Sequence, residues 1–323
     1  MPLPFFSRRF LLSAATLLAA GALSVTGWQR RTQRRYPPQG RILPLPSGPA
    51  HVVEGGLASG PALVLIHGSD GVAHDWPSSP LWPLLALHHR LIAPDRLGHG
   101  YTPAGEEITV SAGVQQLSEL LDALGVQRAT LLGHSYGAPV ALALAARQPQ
   151  RVGGLVLVSP VAFPAPGLTR ALARLLAWAP VRWLVTRILL IPLGLAVVEL
   201  EGGRAFAPAP MPHPWRRMMR AFSLRRSQLL ALAEENRTIA RELSALAPRY
   251  AALRLPVVVL AGDQDALSPA QHHAVPLAAQ LPGAQLQLLS GGHQLHWTHP
   301  QDVAAAVRQV TGQGTVTLPG GRP

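Results

Sequence analysis

Short apolar runs alternate with helical patterns along most of the chain. Uninterrupted runs such as "ALVLI" at 62–66 and "PVVVLA" at 256–261 are typical of strands buried on both faces of a sheet. Further strands are predicted at 41–46, 51–56, 91–93, 128–132, 153–158 and 284–289. Helical periodicity predicts helices at 108–124, 138–148 and 301–310. This alternation predicts an α/β fold with a doubly wound, mostly parallel sheet.

One long segment, 164–254, interrupts this alternation. Its pattern is helical, and its prolines are expected to break it into short pieces, at positions 180, 192, 208, 210, 212 and 214. We interpret 164–254 as an inserted helical cap that separates two parts of one core, at 41–163 and 255–312. The tail at 313–323 is expected to be disordered.

The N-terminus resembles a membrane signal. Eighteen uncharged residues at 10–27 lie between Arg8-Arg9 and a group of arginines that ends at Arg35. Eighteen residues reach the lower limit for a spanning helix. We therefore predict a signal anchor or transmembrane segment at 1–36 in a bacterial inner membrane. The folded domain is expected to lie outside the cytoplasm. The small residues at 20–22 leave signal cleavage, and a secreted or periplasmic protein, as an alternative.

Composition excludes several kinds of chemistry. The chain has no cysteine, and all 28 of its basic residues are arginine, so thiol nucleophiles and Schiff-base lysines are excluded. The net charge is +12, concentrated at 1–41 and at 165–247, where twelve arginines accompany five glutamates. These arginines do not alternate with aromatic residues, so no nucleic acid is expected as a partner. No cofactor is expected, and no metal at His272 and His273, which have no cysteine or carboxylate cluster nearby.

The stretch "GHSYG" at 133–137 places Ser135 between two glycines. A strand is predicted before it and a helix after it, which is the context in which GxSxG exposes a nucleophilic serine. Gly133 and Gly137 are small, as a sharp turn between strand and helix requires. A serine hydroxyl barely ionises at neutral pH, so it needs a base that a carboxylate orients.

Two later segments offer that base and that carboxylate. "GDQDALSP" places Asp263 and Asp265 after a strand, and "GGHQLHWTHP" places His293 and His296 after the next strand. The carboxyl ends of parallel strands are where the sites of such sheets lie. "LVLIHGSDG" places His67-Gly68-Ser69 directly after another buried strand, where they could supply an oxyanion hole. The residues alone leave open which aspartate and which histidine act.

With these segments, the chain resembles the α/β-hydrolase family, particularly its cap-bearing serine hydrolases with HG and GHSxG motifs. The resemblance covers about 41–312 and rests on five segments in the right order, "LVLIHGSDG", "IAPDRLGHGYT", "LLGHSYGA", "VVVLAGDQDALSP" and "GGHQLHWTHP". It implies an eight-stranded sheet and a catalytic triad of Ser135, Asp265 and His293, with Asp263 as the second candidate for the acid. It implies oxyanion-hole donors at the backbone N–H groups of Ser69 and Tyr136.

Other polar and aromatic residues are expected to have structural roles. His296 and His299 are assigned to loop structure, and Asp95 and His99 to ordering the loop after a strand. His74 and Asp75 either line the entrance or cap the following helix. The tryptophans of the predicted cap, Trp178, Trp183 and Trp215, are expected to pack inside it.

The function implied by the resemblance is hydrolysis of a carboxylic ester or related acyl substrate through an acyl-enzyme. Alternatives on the same triad are a peptidase, a carbon–carbon bond hydrolase, a cofactor-free haloperoxidase and an acyltransferase, and a non-enzymatic binder is a further alternative. The expected partner is a small, apolar acyl compound.

The apolar stretch 188–198 is too short to span a bilayer by itself. It either roofs an acyl pocket or belongs to a basic cap that docks on anionic lipid. The oligomeric state is not indicated.

Overall fold

In the computed structural model, residues 8–69, 71–165 and 175–312 are described. Within them, eight strands form one sheet, namely β1 (Arg41–Leu45), β2 (Gly48–Gly56), β3 (Ala62–Ile66), β4 (Arg90–Pro94), β5 (Ala129–His134), β6 (Val152–Val158), β7 (Val257–Gly262) and β8 (Gln285–Leu289). Their order is β1-β2-β4-β3-β5-β6-β7-β8. Only the β1–β2 and β2–β4 pairs are antiparallel. The prediction of a mostly parallel sheet is confirmed.

The helices of the described residues are α1 (Arg8–Arg35), α2 (Asp75–Ser78), α3 (Leu81–Ala86), α4 (Val110–Ala123), α5 (Gly137–Arg147), α6 (Ala179–Leu184), α7 (Leu190–Phe206), α8 (His213–Phe222), α9 (Arg226–Leu246), α10 (Ala274–Gln280), α11 (Leu295–Thr298) and α12 (Pro300–Thr311). The three helices predicted from periodicity correspond to α4, α5 and α12, with ends that differ by up to two residues.

Helices cover both faces of the sheet. On one face α4, α5 and α10 share a core with side chains such as Leu131 and Leu155. On the other face α3 and α12 pack against side chains such as Leu132 and Val258. Because both faces are covered, β5 and β7 are buried along their whole length, which explains their uninterrupted apolar sequence.

Between β6 and β7 the described residues form α6 to α9, which we call the helical insertion. One π-helical turn, Val185–Leu189, joins α6 to α7, so Ala179–Phe206 is a continuous helix of 28 residues. The expectation that Pro192 breaks this segment is wrong. Pro192 stands in the first turn of α7, directly after the π turn, where the ordinary helical bonding pattern is already interrupted. The prolines from 208 to 212 do separate α7 from α8. Part of the predicted cap, 166–174, and the predicted tail, 313–323, lie outside the described residues.

The N-terminal helix α1 contains the predicted membrane segment and packs on the helical insertion. A methyl group on Gly21 would lie 3.2 Å from the side chain of Ile188. Just after α1, the ring of Tyr36 lies 5.8 Å from that of Phe222. Among the residues whose side chains the structure describes, which do not include 8–15 of α1, one helix is long and apolar enough to cross a membrane, namely Ala179–Phe206 in the insertion. The stretch 188–198 is therefore part of a much longer helix than the sequence suggested.

Candidate active site

The turn between β5 and α5 holds Ser135 in an unusual backbone conformation. Its φ angle is +52°, a value that non-glycine residues adopt rarely and at sharp, constrained turns. The Ser135 N–H donates to Val158 O of β6 at 2.9 Å, and Ser135 O accepts the N–H of Ala138 within the turn at 3.1 Å. A methyl group on Gly137 would lie 2.2 Å from Ile66 O, and one on Gly133 would lie 2.7 Å from Gly137 O. Strand and helix therefore approach so closely that only glycine fits on either side of Ser135.

Asp265 and His293 form a buried pair near this turn. His293 Nδ1 donates to Asp265 Oδ2 at 2.7 Å, and both side chains are almost fully buried. The other carboxylate oxygen, Oδ1, accepts the backbone N–H groups of Leu267 and Ser268, each at 2.8 Å. Asp265 follows β7 and His293 follows β8, at the carboxyl ends where the sequence placed them.

The environment of Asp265 favours its charged form. Burial acts to raise the pKa of the carboxyl, but the adjacent His293 and the two backbone donors outweigh it and lower the pKa below the usual value. Asp265 is thus a carboxylate that can hold His293 in one tautomer and stabilise its protonated form.

Asp263 has a different position from Asp265. Its Oδ1 accepts the backbone N–H of Gly291 at 3.1 Å, and its own N–H donates to Leu289 O at 2.9 Å. These contacts connect the loop after β7 to the loop after β8. Asp263 therefore orders the loop that leads to His293, whereas Asp265 contacts the imidazole.

A second histidine–aspartate pair lies beside the first. His296 Nε2 donates to Asp75 Oδ2 at 2.9 Å, and Asp75 Oδ1 accepts the indole N–H of Trp297 at 2.9 Å. His134 lies between the two histidines, with ring centroids 4.8 Å from His293 and 4.7 Å from His296. Burial, and then the neighbouring His296 and His293, lower the pKa of His134 well below its usual value. The pair thus anchors α11, close to His293.

The side chains of His74 and Asp75 do not cap α2. Asp75 is the first residue of α2, but its carboxylate oxygens contact α11. His74 caps α2 with no side-chain hydrogen bond, and its Nε2 donates to Pro37 O at 3.0 Å instead. Both residues therefore connect distant segments.

Asp95 and His99 lie in the loop after β4, as expected. Asp95 accepts the N–H of Ala73 at 2.7 Å and that of Tyr101 at 2.8 Å. His99 Nε2 lies 2.5 Å from Ser69 O, so it holds the loop after β3. These contacts order two neighbouring loops around the site.

The loop after β3, with the sequence His67-Gly68-Ser69, lies against the side chain of Ser135. A methyl group on Gly68 would come within 3.0 Å of Ser135 Cβ. Tyr136, whose backbone N–H is the other candidate oxyanion donor, directly follows Ser135 at the start of α5. The backbone of both segments therefore borders the serine.

Arg96 ties this loop to the helical insertion, and the sequence did not single it out. Its Nε donates to His67 O at 3.0 Å, and its Nη2 donates to Gly68 O at 2.8 Å. Its Nη1 pairs with Glu235 on α9, whose side chain is fully buried. The guanidinium also lies 4.5 Å above the ring of Tyr136. The stretch "PDRLGHG" contained Arg96, but no pattern in the sequence indicated Glu235 as its partner.

The insertion also contributes a buried apolar cluster and a contact to the backbone of His293. Val72, after β3, shares a buried cluster with Phe206 and Trp215 of the insertion, and the rings of the two aromatic residues lie 5.0 Å apart. Ala205, near the end of α7, accepts the backbone N–H of His293 at 2.7 Å. Trp215 packs inside the insertion as expected. Trp178 and Trp183 do not, because α6 has no buried side chains and both indoles are exposed.

In the described residues, His272 and His273 do not belong to any group of three or more side chains that could hold a metal ion. His273 Nδ1 accepts the backbone N–H groups of Ala162 and Phe163, both at 3.3 Å. Burial, and then the adjacent His272, lower the pKa of His273 to about 4. It is therefore a neutral structural acceptor.

A mostly parallel sheet of eight strands with a serine at positive φ after a central strand is the architecture of an α/β hydrolase. A family model for the alpha/beta hydrolase fold matches residues 61–300, and the chain belongs to this family. It is accordingly an enzyme of the hydrolase class.

Three relatives illustrate how far the similarity extends. An uncharacterised protein of Mycobacterium tuberculosis is 31% identical over 249 residues, which are 73% of this chain and 70% of the relative. A 2-hydroxy-6-oxo-2,4-heptadienoate hydrolase of Pseudomonas putida is 40% identical over 108 residues, 32% of this chain and 39% of that enzyme. The solved structure of a hydrolase from Pseudomonas aeruginosa PA01 is 27% identical and superposes with a TM-score of 0.68, over 84% of this chain and 98% of the other.

Proposed function

We propose that the protein is a serine hydrolase that cleaves a carboxylic ester or a related acyl substrate through an acyl-enzyme. The observation that carries the proposal is the buried Asp265–His293 pair, whose imidazole lies against His134, the residue before a serine held at positive φ. A lone serine at a sharp turn would not need an oriented imidazole, and an imidazole bonded to a carboxylate at Nδ1 leaves Nε2 as the basic nitrogen.

In this mechanism His293 takes the proton of Ser135 Oγ while the oxygen attacks the substrate carbonyl. Asp265 holds the imidazole tautomer and stabilises the imidazolium that forms. The backbone N–H groups of Ser69 and Tyr136 stabilise the oxyanion, and loss of one such donor typically costs about 10²–10³ in turnover. His293 then gives its proton to the leaving alcohol. It next activates a water molecule, which releases the acid and restores the Ser135 hydroxyl.

A second candidate is hydrolysis of a keto-dienoate on the same three residues. The observation in its favour is the 40% identity to the Pseudomonas putida hydrolase over 108 residues. Incubation of the protein with 2-hydroxy-6-oxo-2,4-heptadienoate and with p-nitrophenyl esters distinguishes the two candidates by their relative kcat/KM.

The test of the proposed nucleophile is Ser135→Ala. We expect it to abolish both p-nitrophenyl ester hydrolysis and labelling by a fluorophosphonate probe. The thermal unfolding temperature should stay close to that of the wild type, because the change removes one small hydroxyl. Ser159→Ala is a matched control, because Ser159 is also a buried serine at positive φ (+46°) at a strand end and has no proposed catalytic role. Residual activity of more than a few per cent in the Ser135 variant would refute the mechanism.

We also propose that α1 anchors the protein in a membrane. Its uncharged stretch at 10–27 and flanking arginines support this location. The hydrolase domain is then expected outside the cytoplasm, or in the periplasm if the segment is cleaved. The apparent mass of the mature protein in membrane and soluble fractions distinguishes an anchored chain from a cleaved one.

A further inference from the structure

Exposed apolar side chains are concentrated in one segment of the chain. Among the described residues thirteen large apolar side chains are exposed, and eight of them belong to α1 or to residues 175–200. We call the seven at 175–200 the apolar face, namely Leu175, Trp178, Trp183, Leu184, Leu193, Val197 and Leu200. Trp178 and Leu200 are exposed by 66% and 64%. Exposed apolar residues clustered on one surface mark an interaction site more often than scattered ones do.

One side of the helix Ala179–Phe206 packs on the rest of the protein, and another side is exposed. Leu190, Val198 and Phe206 are buried, the last two of them in the cluster formed with α8. Leu193, Val197 and Leu200 follow at helical spacing and are exposed. A helix with one face packed on its own domain and one apolar face outward is suited to lie within one leaflet, and unsuited to cross a bilayer alone.

Charge and aromatic residues on this surface fit a lipid interface. Residues 175–200 contain two arginines, Arg182 and Arg187, and one acidic residue, Glu199, whose carboxylate pairs with Arg220. Both arginines are exposed, close in sequence to Trp178 and Trp183. Tryptophan and arginine at the edge of an apolar surface are typical of segments at the boundary between headgroups and acyl chains.

The apolar face is also adjacent to the helix that we propose as the anchor. Gly21 in the middle of α1 lies against Ile188, in the π turn of the helix Ala179–Phe206. Leu23, near this contact, is 73% exposed. An anchor in the bilayer would hold the neighbouring apolar face at the same membrane, which favours lipid over a second protein as its occupant.

We propose that the apolar face of residues 175–200 inserts into one leaflet of a phospholipid bilayer beside α1, as an in-plane docking surface. Docking of this kind adds a second attachment to the anchor and fixes the orientation of the domain. The C-terminal end of the same helix contacts the backbone of His293 through Ala205. In the docked domain, the side of the candidate site that faces the membrane is therefore the side covered by the helical insertion.

The chain contains no cysteine, so a single introduced cysteine can be labelled uniquely. Leu193→Cys and Val197→Cys test the apolar face in the full-length protein. Leu87→Cys and Leu288→Cys are matched controls, since these leucines are exposed to a similar degree outside the insertion. Each variant is labelled with an environment-sensitive NBD dye and reconstituted in vesicles of phosphatidylcholine and phosphatidylglycerol, with or without lipid that carries a nitroxide on the acyl chain.

We expect positions 193 and 197 to show a blue shift of the emission and strong quenching by the nitroxide lipid, and positions 87 and 288 to show neither. Equal behaviour of all four positions would overturn the proposal. A blue shift at 193 and 197 without lipid quenching would also overturn it, because it would indicate a protein partner, such as a second copy of the chain. Thermal unfolding of each variant establishes that it is folded. The readout needs no catalysis, so it stands whether or not the ester hydrolysis assay succeeds.

Discussion

At the scale of single residues, Asp263 and Asp265 show how two identical side chains, two positions apart, have different roles. Both follow β7, but only Asp265 reaches Nδ1 of His293, while Asp263 fastens the loop that leads to it. The turn between them, in which the Asp265 N–H approaches Gly262 O at 3.4 Å, places the two carboxylates at different loops. A contact to the imidazole affects its tautomer, whereas a contact to the loop affects only its position.

We therefore predict that Asp265→Asn lowers kcat/KM for a p-nitrophenyl ester far more than Asp263→Asn. An amide at position 265 can stabilise the wrong imidazole tautomer, and in a serine protease the corresponding loss is about 10⁴-fold. Steady-state kinetics of both variants measure the difference, with thermal unfolding as the control for folding. If the order of the losses is reversed, the acid is Asp263.

At the scale of elements, a buried ion pair links the helical insertion to the loop beside Ser135. Arg96 donates hydrogen bonds to the carbonyls of His67 and Gly68, and its positive charge is balanced by Glu235 from α9. Breaking a buried pair by removing one charge commonly costs about 3–5 kcal/mol, because the other charge stays buried and uncompensated. Glu235 is thus a positioning residue, which acts on the candidate oxyanion hole through Arg96 and through His99, whose Nε2 lies 3.6 Å from Glu235 Oε1.

For Glu235→Gln we predict a loss of roughly 3–5 kcal/mol in the free energy of unfolding. We also predict a fall in kcat with a smaller change in KM, since a displaced Arg96 loosens the backbone that would stabilise the transition state. The matched control is Glu234→Gln, whose partner Arg237 is exposed, so its free energy of unfolding should stay close to that of the wild type. Denaturant unfolding and steady-state kinetics are the measurements. An unstable Glu235→Gln variant with unchanged kcat would contradict the positioning role.

At the scale of the whole molecule, the fold buries many histidines in neutral form. Burial is the largest cause of a lowered pKa in each of six described residues, which are His67, His74, His89, His99, His134 and His273. His51 behaves oppositely. There burial acts to lower the pKa, but the hydrogen bond and charge of Asp95 outweigh it and raise it. The unfolded chain would bind protons at these six positions near pH 6.5, where the native chain does not.

We predict that stability falls as the pH decreases below about 6.5, because the unfolded state then binds more protons than the native state. For His273, with a native pKa of about 4 against 6.5 when unfolded, the stabilisation is complete above pH 6.5 and is lost as the pH falls toward 4. At pH 5 this one residue accounts for a loss of about 2 kcal/mol in the free energy of unfolding, relative to its value above pH 6.5.

Thermal unfolding from pH 7 to pH 5 measures this effect for the wild type and for His273→Asn. The variant should show a smaller decrease with pH, whereas the exposed His88→Asn should follow the wild type. A wild-type unfolding temperature that is constant over this range would contradict the prediction.

The sequence by itself determined the sheet and the chemistry available at its edge. Uninterrupted apolar runs identify buried strands because both faces of a parallel sheet are covered, and all eight predicted strands are present in the structure. Glycines around Ser135 were informative because steric exclusion leaves no other residue at such a turn. Local constraints of this kind act on consecutive residues, so a single sequence reveals them.

Only the tertiary structure decided which distant side chains meet. The contact of Asp265 rather than Asp263 with His293, the pair of Arg96 with Glu235, and the bond from His296 to Asp75 all depend on where loops converge. Hydrogen bonds between residues far apart in the chain leave no periodicity in it. The continuity of Ala179–Phe206 through Pro192 also depended on three-dimensional structure, since a π turn accommodates what the proline alone would interrupt. Whether the face of that helix is buried or exposed follows from what packs against it, which hydrophobicity alone cannot specify.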